Sequence, residues 1–228
     1  MYMSNIDRSS IEKLVGTKIN DLSLYQKAFT HKSALKQYEH LEHSYETLEF
    51  IGDSVLGFVV TKWLFDRYES QQEGFLTKAR TKLVRGETLA DIARKLQLQN
   101  IVLMDDKGMR NGWNNNTKIL EDVFEALCGA MYMDIGLLHT KEFILRIYED
   151  PEFVDMQCLL VDDNFKDHLM RYCQTHNLSL PDYRIADHTD GVFVIDAYVD
   201  GRCQGRGWAK SKKQAEQNAA RAFFHPVS

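Results

Sequence analysis

Glu46, Glu49 and Asp53 stand in the otherwise apolar run YETLEFIGDSVLG (45–57), and Glu121, Asp122 and Glu125 stand in KILEDVFEALCGA (118–130). Acids are among the residues least often buried unless they are paired or bind a cation. On a helix Glu46, Glu49 and Asp53 fall at i, i+3 and i+7 and share one face, and Asp122 and Glu125 are again i, i+3. Two helices that each present two acids can converge on one divalent cation, and oxygen-only ligands favour Mg2+ or Mn2+ over zinc. Without a cation, crowded carboxylates repel and one takes up a proton. With a cation, the group can bind phosphate oxygens and activate water. The spacing alone leaves a second reading open: a solvated face of scattered helix acids, each capping a helix or pairing with lysine.

The elements that must position these acids read as helices. SSIEKLVG begins with a serine cap and sets Ile11, Leu14 and Val15 at helical spacing. SLYQKAFTHKSALK continues the pattern, and the first acidic run goes on as LGFVVTKWLFDRY, apolar on more than one side, which predicts a buried helix. EGFLTKARTKLVRGETLADIARKLQL alternates basic and apolar positions at periods of three and four. DDKGMRNGWNNNTK reads as a loop. TKILEDVFEALCGAMYMDIG is a long helix with small residues Ala126, Gly129 and Ala130, followed by LLHTKEFILRIYED. No strong strand signal precedes residue 150. The helical domain is therefore expected over 5–150 and a linker over 151–161, beginning at Pro151. A second domain over 162–226 runs helix, three strands, helix, with Val192, Val194 and Asp196 alternating against Phe193, Ile195 and Ala197. Asp-Gly turn signals fall at 190–191 and 200–201. The fold class expected is multi-domain, all-α followed by α+β.

At 228 residues the chain suits one large domain or two small ones, and 44% apolar with 27% charged residues is ordinary soluble composition. The longest apolar run is too short to span a bilayer, and MYMSNIDRSS lacks the order of a secretory signal. Cys128, Cys158, Cys173 and Cys203 lack metal-knuckle spacing and read as free thiols in a reducing compartment, so the expected location is cytoplasmic. A net charge of −5 does not announce a nucleic-acid binder, nor does it exclude one, because a local patch is what matters.

Four strings carry a resemblance. YETLEFIGDSVLG resembles the E-x-L-E-F-L-G-D-x-V-L signature of the ribonuclease III family, and AFTHKS (28–33) is similar to its A-L-T-H-x-S block. EGFLTKARTKLVRGETLA (73–90) and KILEDVFEALCGA are similar to the next two blocks, in family order, and together the matches touch most of residues 10–140. The resemblance implies that Glu49, Asp53, Asp122 and Glu125 hold a catalytic Mg2+, with Mn2+ able to substitute, and that Glu46 and Glu73 support them near the cleavage site. None of the six acids is lost, which implies an active enzyme. Two positions depart from the family's frequent N-E-R: Tyr45 and Thr47 flank Glu46. Lys118 stands before the Ile-Leu of the later block, as in some eukaryotic-type members, where it could neutralise charge near phosphates or simply start a helix.

The implied reaction is hydrolysis of the backbone of double-stranded RNA, leaving 5′-phosphate and 3′-hydroxyl ends with a short 3′ overhang. That stagger requires two sites on two strands, so the resemblance implies a two-fold homodimer along the signature helix, with Phe50 entering the partner. His31 reads as a packed or hydrogen-bonded residue and Cys128 as core.

NFKDHLMRYCQ, FVIDAYVDGRCQGRG and SKKQAEQNAARAFF resemble a double-stranded RNA-binding domain, a module that reads A-form shape across two minor grooves. The resemblance places Lys212 and Lys213, with Lys210 nearby, on the phosphates, helped by the helix N-terminus, and Gln174 at a minor-groove 2′-hydroxyl. Between the first two strands the family's G-P-x-H is replaced by ADHTDG, where His188 is the substitute for the loop histidine. Residues 160–228 carry nine basic and nine acidic side chains, so the module must bind through a sorted patch. Two competing readings are a protein that sequesters double-stranded RNA without cutting it, and a helical scaffold with incidental acids.

Overall fold

The computed structural model describes residues 6–156 and 164–225. The chain forms two compact units that divide near residue 160. Cys158 and the end of the expected linker lie outside the described residues. Among the described residues no helix is long and apolar enough to cross a membrane.

The first unit is helical: α1 (Arg8–Val15), α2 (Leu22–Ala28), α3 (Lys32–Leu35), α4 (Glu46–Arg67), α5 (Glu73–Leu83), α6 (Gly86–Lys95), α7 (Asp106–Arg110) and α8 (Thr117–Glu149), with single 3-10 turns at Leu98–Asn100 and Trp113–Asn115. The cap of α1 is Asp7, whose carboxylate accepts from the Ser10 amide at 2.7 Å; the expected serines lie inside the first turn. The helical stretch expected over 23–36 breaks at Thr30, which forms an isolated parallel bridge to Leu103.

α5 and α6 also part where periodicity runs through. The Lys82 carbonyl accepts from Thr88 Oγ1 (2.8 Å) and the Leu83 carbonyl from the Tyr148 hydroxyl (3.0 Å), so side chains bind carbonyls at the end of α5. The expected loop at 105–118 contains α7, capped by Asp105 through the Gly108 amide at 2.9 Å. α8 bends at Gly136 (φ 78°, ψ 176°), the boundary between the two segments read in the sequence.

α4 and α8 form the centre of the core. A Cβ on Gly52 would lie 1.8 Å from the Glu125 carbonyl oxygen, and one on Gly129 would lie 2.1 Å from that of Leu48. The two backbones therefore touch, glycine against helix on both sides. α4 buries Leu48, Val55, Leu56, Val59, Val60, Trp63 and Leu64. The helix expected to be buried is buried along one side only: Phe50 (78% exposed), Phe58 and Phe65 stand on the surface. Ile51, beside Phe50, packs against the core. Val154, Phe153 and Met156, within the expected linker, also pack on this core.

The second unit has α9 (Phe165–Thr175), a three-stranded antiparallel sheet β1 (Asp182–Thr189), β2 (Val192–Val199) and β3 (Arg202–Ala209) in the order β1-β2-β3, and α10 (Lys212–Phe224). Ile195, Ala197 and Val199 alternate inward against Leu169, Cys173, Ala215, Ala219 and Ala220. A Cβ at Gly205 or Gly207 would meet Ala219 backbone atoms at 2.3 and 2.1 Å, so α10 lies directly on β3. Asp196 is buried and accepts from Arg206 Nε (2.6 Å) and Nη2 (2.9 Å). The order is the α-β-β-β-α order expected, behind an all-helical unit. Both Asp-Gly signals make two-residue turns with positive φ at Asp190, Gly191, Asp200 and Gly201.

Candidate active site and RNA-facing surface

The glycine contact between α4 and α8 sets two turns of acids side by side. Carboxylate oxygens of Glu49, Asp122 and Glu125 all lie within 4.8 Å of one another. Glu49 is half-buried, while Asp122 and Glu125 are buried. Asp53, one turn along α4 from Glu49, is exposed and stands outside that trio, although its charge acts on Glu125. Burial, then the charges of Asp53, Glu121 and Glu49, push the Glu125 carboxyl up to about 8, against a smaller opposing effect of Lys118. Glu49 is raised for the same reason, first by burial and then by Asp122.

Asp122 is held from two sides. Its Oδ2 accepts from the buried Tyr45 hydroxyl at 3.4 Å. Lys118 Nζ lies 2.8 Å from its Oδ1 and 3.4 Å from Glu121 Oε2. Asp122 Oδ1 thus has the Lys118 ammonium as its ion-pair partner, while Oδ2 faces the phenol. Asp122 beside it holds the Lys118 ammonium above its ordinary value. Burial and then Asp122 raise the Tyr45 phenol.

This donor set fits a hard divalent cation. It is all oxygen, and three converging carboxylates are more than the single Lys118 ammonium balances. An Mg2+ ion holds its ligands at about 2.0–2.1 Å, so the trio has to draw together only modestly around one.

The remaining expected residues are placed differently. Glu46 is exposed and pairs with the Ser44 hydroxyl (2.9 Å) and Lys32 (3.3 Å), which hold its carboxyl below the usual range. Glu73 opens α5, is exposed, and accepts from Thr77 Oγ1 at 2.7 Å. Neither belongs to the convergent trio. Thr47 is exposed and nothing in the structure explains it. His31 caps α3 through the Ser33 amide, and Cys128 is fully buried, both as expected. Sequence reasoning missed Tyr45 as a site residue. The only signal was its departure from the family's asparagine, and its partner stands 77 positions away. Glu121 was noticed but given no role; its carboxylate lies against Gly86, where a Cβ would approach Oε2 to 2.6 Å.

On the second unit Lys212 and Lys213 occupy the first turn of α10, behind the cap Ser211, whose hydroxyl accepts from the Gln214 amide. Lys210 precedes them, and all three are exposed, as is Gln174 on α9. The expected loop at 186–191 is corrected: residues up to Thr189 are strand, and only Asp190–Gly191 turn. His188 therefore sits in β1, stacked on Phe193 (4.0 Å, 16°), with Asp187 accepting from its amide.

Comparison with known proteins follows the same division. A ribonuclease-III-like family model matches residues 21–150, and a double-stranded RNA binding motif matches residues 165–225. Ribonuclease 3 of Wolbachia pipientis subsp. Culex pipiens is 35% identical over 223 residues, covering 96% of this chain and 96% of its own. Ribonuclease 3 of Chlorobium luteolum is 37% identical over 218 residues, covering 92% and 78%. A protein of Paramecium bursaria Chlorella virus 1 is 39% identical over 223 residues, covering 96% and 79%. The solved nuclease domain of ribonuclease III from Campylobacter jejuni, described with structural flexibility in a region involved in dimer formation, gives a TM-score of 0.57. It is 34% identical and covers 61% of this chain and 94% of that one.

Proposed function

The chain belongs to the ribonuclease III family of double-stranded RNA endonucleases, and we propose that Glu49, Asp53, Asp122 and Glu125 hold the divalent cation of its cleavage site. The observation that carries this reading is the trio of carboxylate oxygens within 4.8 Å of one another at the glycine contact. Mg2+ is the natural ion for such a site, and Mn2+ substitutes for it. A bound ion of this kind lowers the pKa of water and offsets charge on the phosphate. The chain's own part is to hold four carboxylates where the ion and scissile phosphate meet. Glu125, whose carboxyl is pushed up to about 8 by burial and the neighbouring acids, would have to be in its carboxylate form to hold the ion. Lys118 keeps a cation at the rim of the site, and Glu46 and Glu73 act in support, outside the ligand set.

Grip on the duplex falls to the second unit, where Lys210, Lys212 and Lys213 face phosphates from a helix N-terminus. His188 and Gln174 are secondary contacts. Two strands cut with a stagger require two sites related by a two-fold axis. The exposed Phe50, with Phe58 and Phe65 along the same helix, supports a homodimer through α4. The products of such a pair carry 5′-phosphates and 3′-hydroxyls with a short 3′ overhang.

The test replaces Glu125 with Gln. Cleavage of a radiolabelled duplex in Mg2+ should fall by at least about a thousandfold, as when a group that stabilises transition-state charge is removed. Gel-shift binding of the duplex should persist. Retention of cutting would sink the metal-site assignment. End-sequencing of wild-type products tests the overhang, and a protomer mass in sedimentation at assay concentration would remove the two-site reading.

A further inference from the structure

We propose that Tyr45 is a positioning residue for the metal site, setting the rotation of the Asp122 carboxylate through its hydroxyl. This rests on the metal-site reading above. Tyr45 caps the N-terminus of α4 and is only 4% exposed. Its amide donates to the Thr30 carbonyl at 2.9 Å, and its ring lies against His31, centroids 5.8 Å apart. Backbone and ring are thus fixed, which leaves the phenol little freedom. At neutral pH a phenol carries its proton and donates. The only hydrogen-bond acceptor it meets among the described contacts is Asp122 Oδ2, at 3.4 Å.

That distance is longer than the roughly 2.7–2.8 Å of a tight O–H···O bond, so the effect expected is moderate. Its value lies in direction. A carboxylate on a buried helix face can rotate about its terminal torsion, which is broad and roughly two-fold. With Oδ2 engaged by Tyr45, Oδ1 is the oxygen turned to the side where a cation is accommodated, as the Lys118 ammonium 2.8 Å from it shows. Tyr45 therefore stands to Asp122 as outer partners stand to metal ligands elsewhere: it touches neither ion nor substrate and orients the group that does.

The variant Tyr45→Phe keeps the ring and removes the hydroxyl. Mn2+ binding to the full-length protein without RNA is read from the loss of free-ion signal in electron paramagnetic resonance, and Mg2+ binding by calorimetry. Both dissociation constants should rise about three- to tenfold, the range a single moderate hydrogen bond supports. The Mg2+ concentration for half-maximal cleavage should rise by the same factor, while kcat at saturating Mg2+ stays within twofold. Thr47→Ala, two residues along and exposed, should bind metal like wild type. Unchanged metal affinity in Tyr45→Phe overturns the proposal, and so does a lowered melting temperature with unchanged affinity, which would assign the residue to packing. Wild type that binds neither ion overturns the metal-site reading, and this proposal with it.

Discussion

Gly52→Ala places a methyl group 1.8 Å from the Glu125 carbonyl oxygen, where ordinary contact begins at 3.4 Å. The obstacle is helix backbone, so relief requires α4 and α8 to separate by about 1.6 Å, the difference between those two distances. Alanine improves helix propensity over glycine by about 1 kcal/mol. Overpacking a tight core costs about 1–3 kcal/mol and more where backbone must move, so the net change is destabilising. The effect on cleavage is larger than the effect on stability. The Glu49 oxygen, now within 4.8 Å of those of Asp122 and Glu125, would be carried away from them to as much as about 6.4 Å, whereas oxygens ligating one Mg2+ at about 2.1 Å cannot lie more than about 4.2 Å apart. A displacement of about 1 Å at a reacting centre costs on the order of a hundredfold in rate. Single-turnover cleavage of a duplex, measured at a temperature where circular dichroism shows the variant folded, should therefore fall by about a hundredfold or more. A folded Gly52→Ala protein that cuts within threefold of wild type would refute the claim that backbone contact sets the carboxylate spacing.

Two further outcomes follow from the electrostatics. Glu125, pushed up to about 8 from an ordinary 4.5, binds its proton more tightly folded than unfolded. Its contribution to stability is full below pH 4.5 and is lost as pH rises through 8. In chelator, melting temperature should carry a downward slope over that window that Glu125→Gln removes, and Mg2+ should restore stability at the alkaline end; parallel slopes for the two proteins would contradict it. Replacing both Lys212 and Lys213 with Ala should weaken binding to all duplex sequences alike and reduce the slope of log affinity against log salt by about two. Salt-insensitive binding by wild type would count against a lysine clasp.

The parts of this molecule readable from sequence were those encoded by local period and spacing. Glu49, Asp122 and Glu125 reached the same point because i, i+3 spacing and the glycines of both runs are consecutive features of the chain. The Asp-Gly turns were readable because positive φ at both central residues suits few other pairs. What escaped depended on partners distant in sequence. Tyr148 reaches the Leu83 carbonyl across 65 positions and helps end α5 where periodicity continues. Tyr45 reaches Asp122 across 77. Thr30 breaks a helical stretch through its bridge to Leu103. The strand extending to Thr189 was missed because ADHT has no alternating apolar pattern, and pairing of His188 with Phe193 on the next strand supplies what the local sequence lacks.

α10 rests on β3 without side chains between them, Ala219 against Gly205 and Gly207. A helix seated in this way has almost no freedom to tilt or slide, so the vectors of Lys212 and Lys213 are set during folding and do not need to be found during RNA contact. Only the lysine side chains, and not the backbone that bears them, have entropy to lose when phosphates arrive. Amide hydrogen exchange in α10 should accordingly be slow in the free protein and nearly unchanged in the complex, so that a module with no net excess of basic residues keeps its grip by holding a few charges rigidly in place.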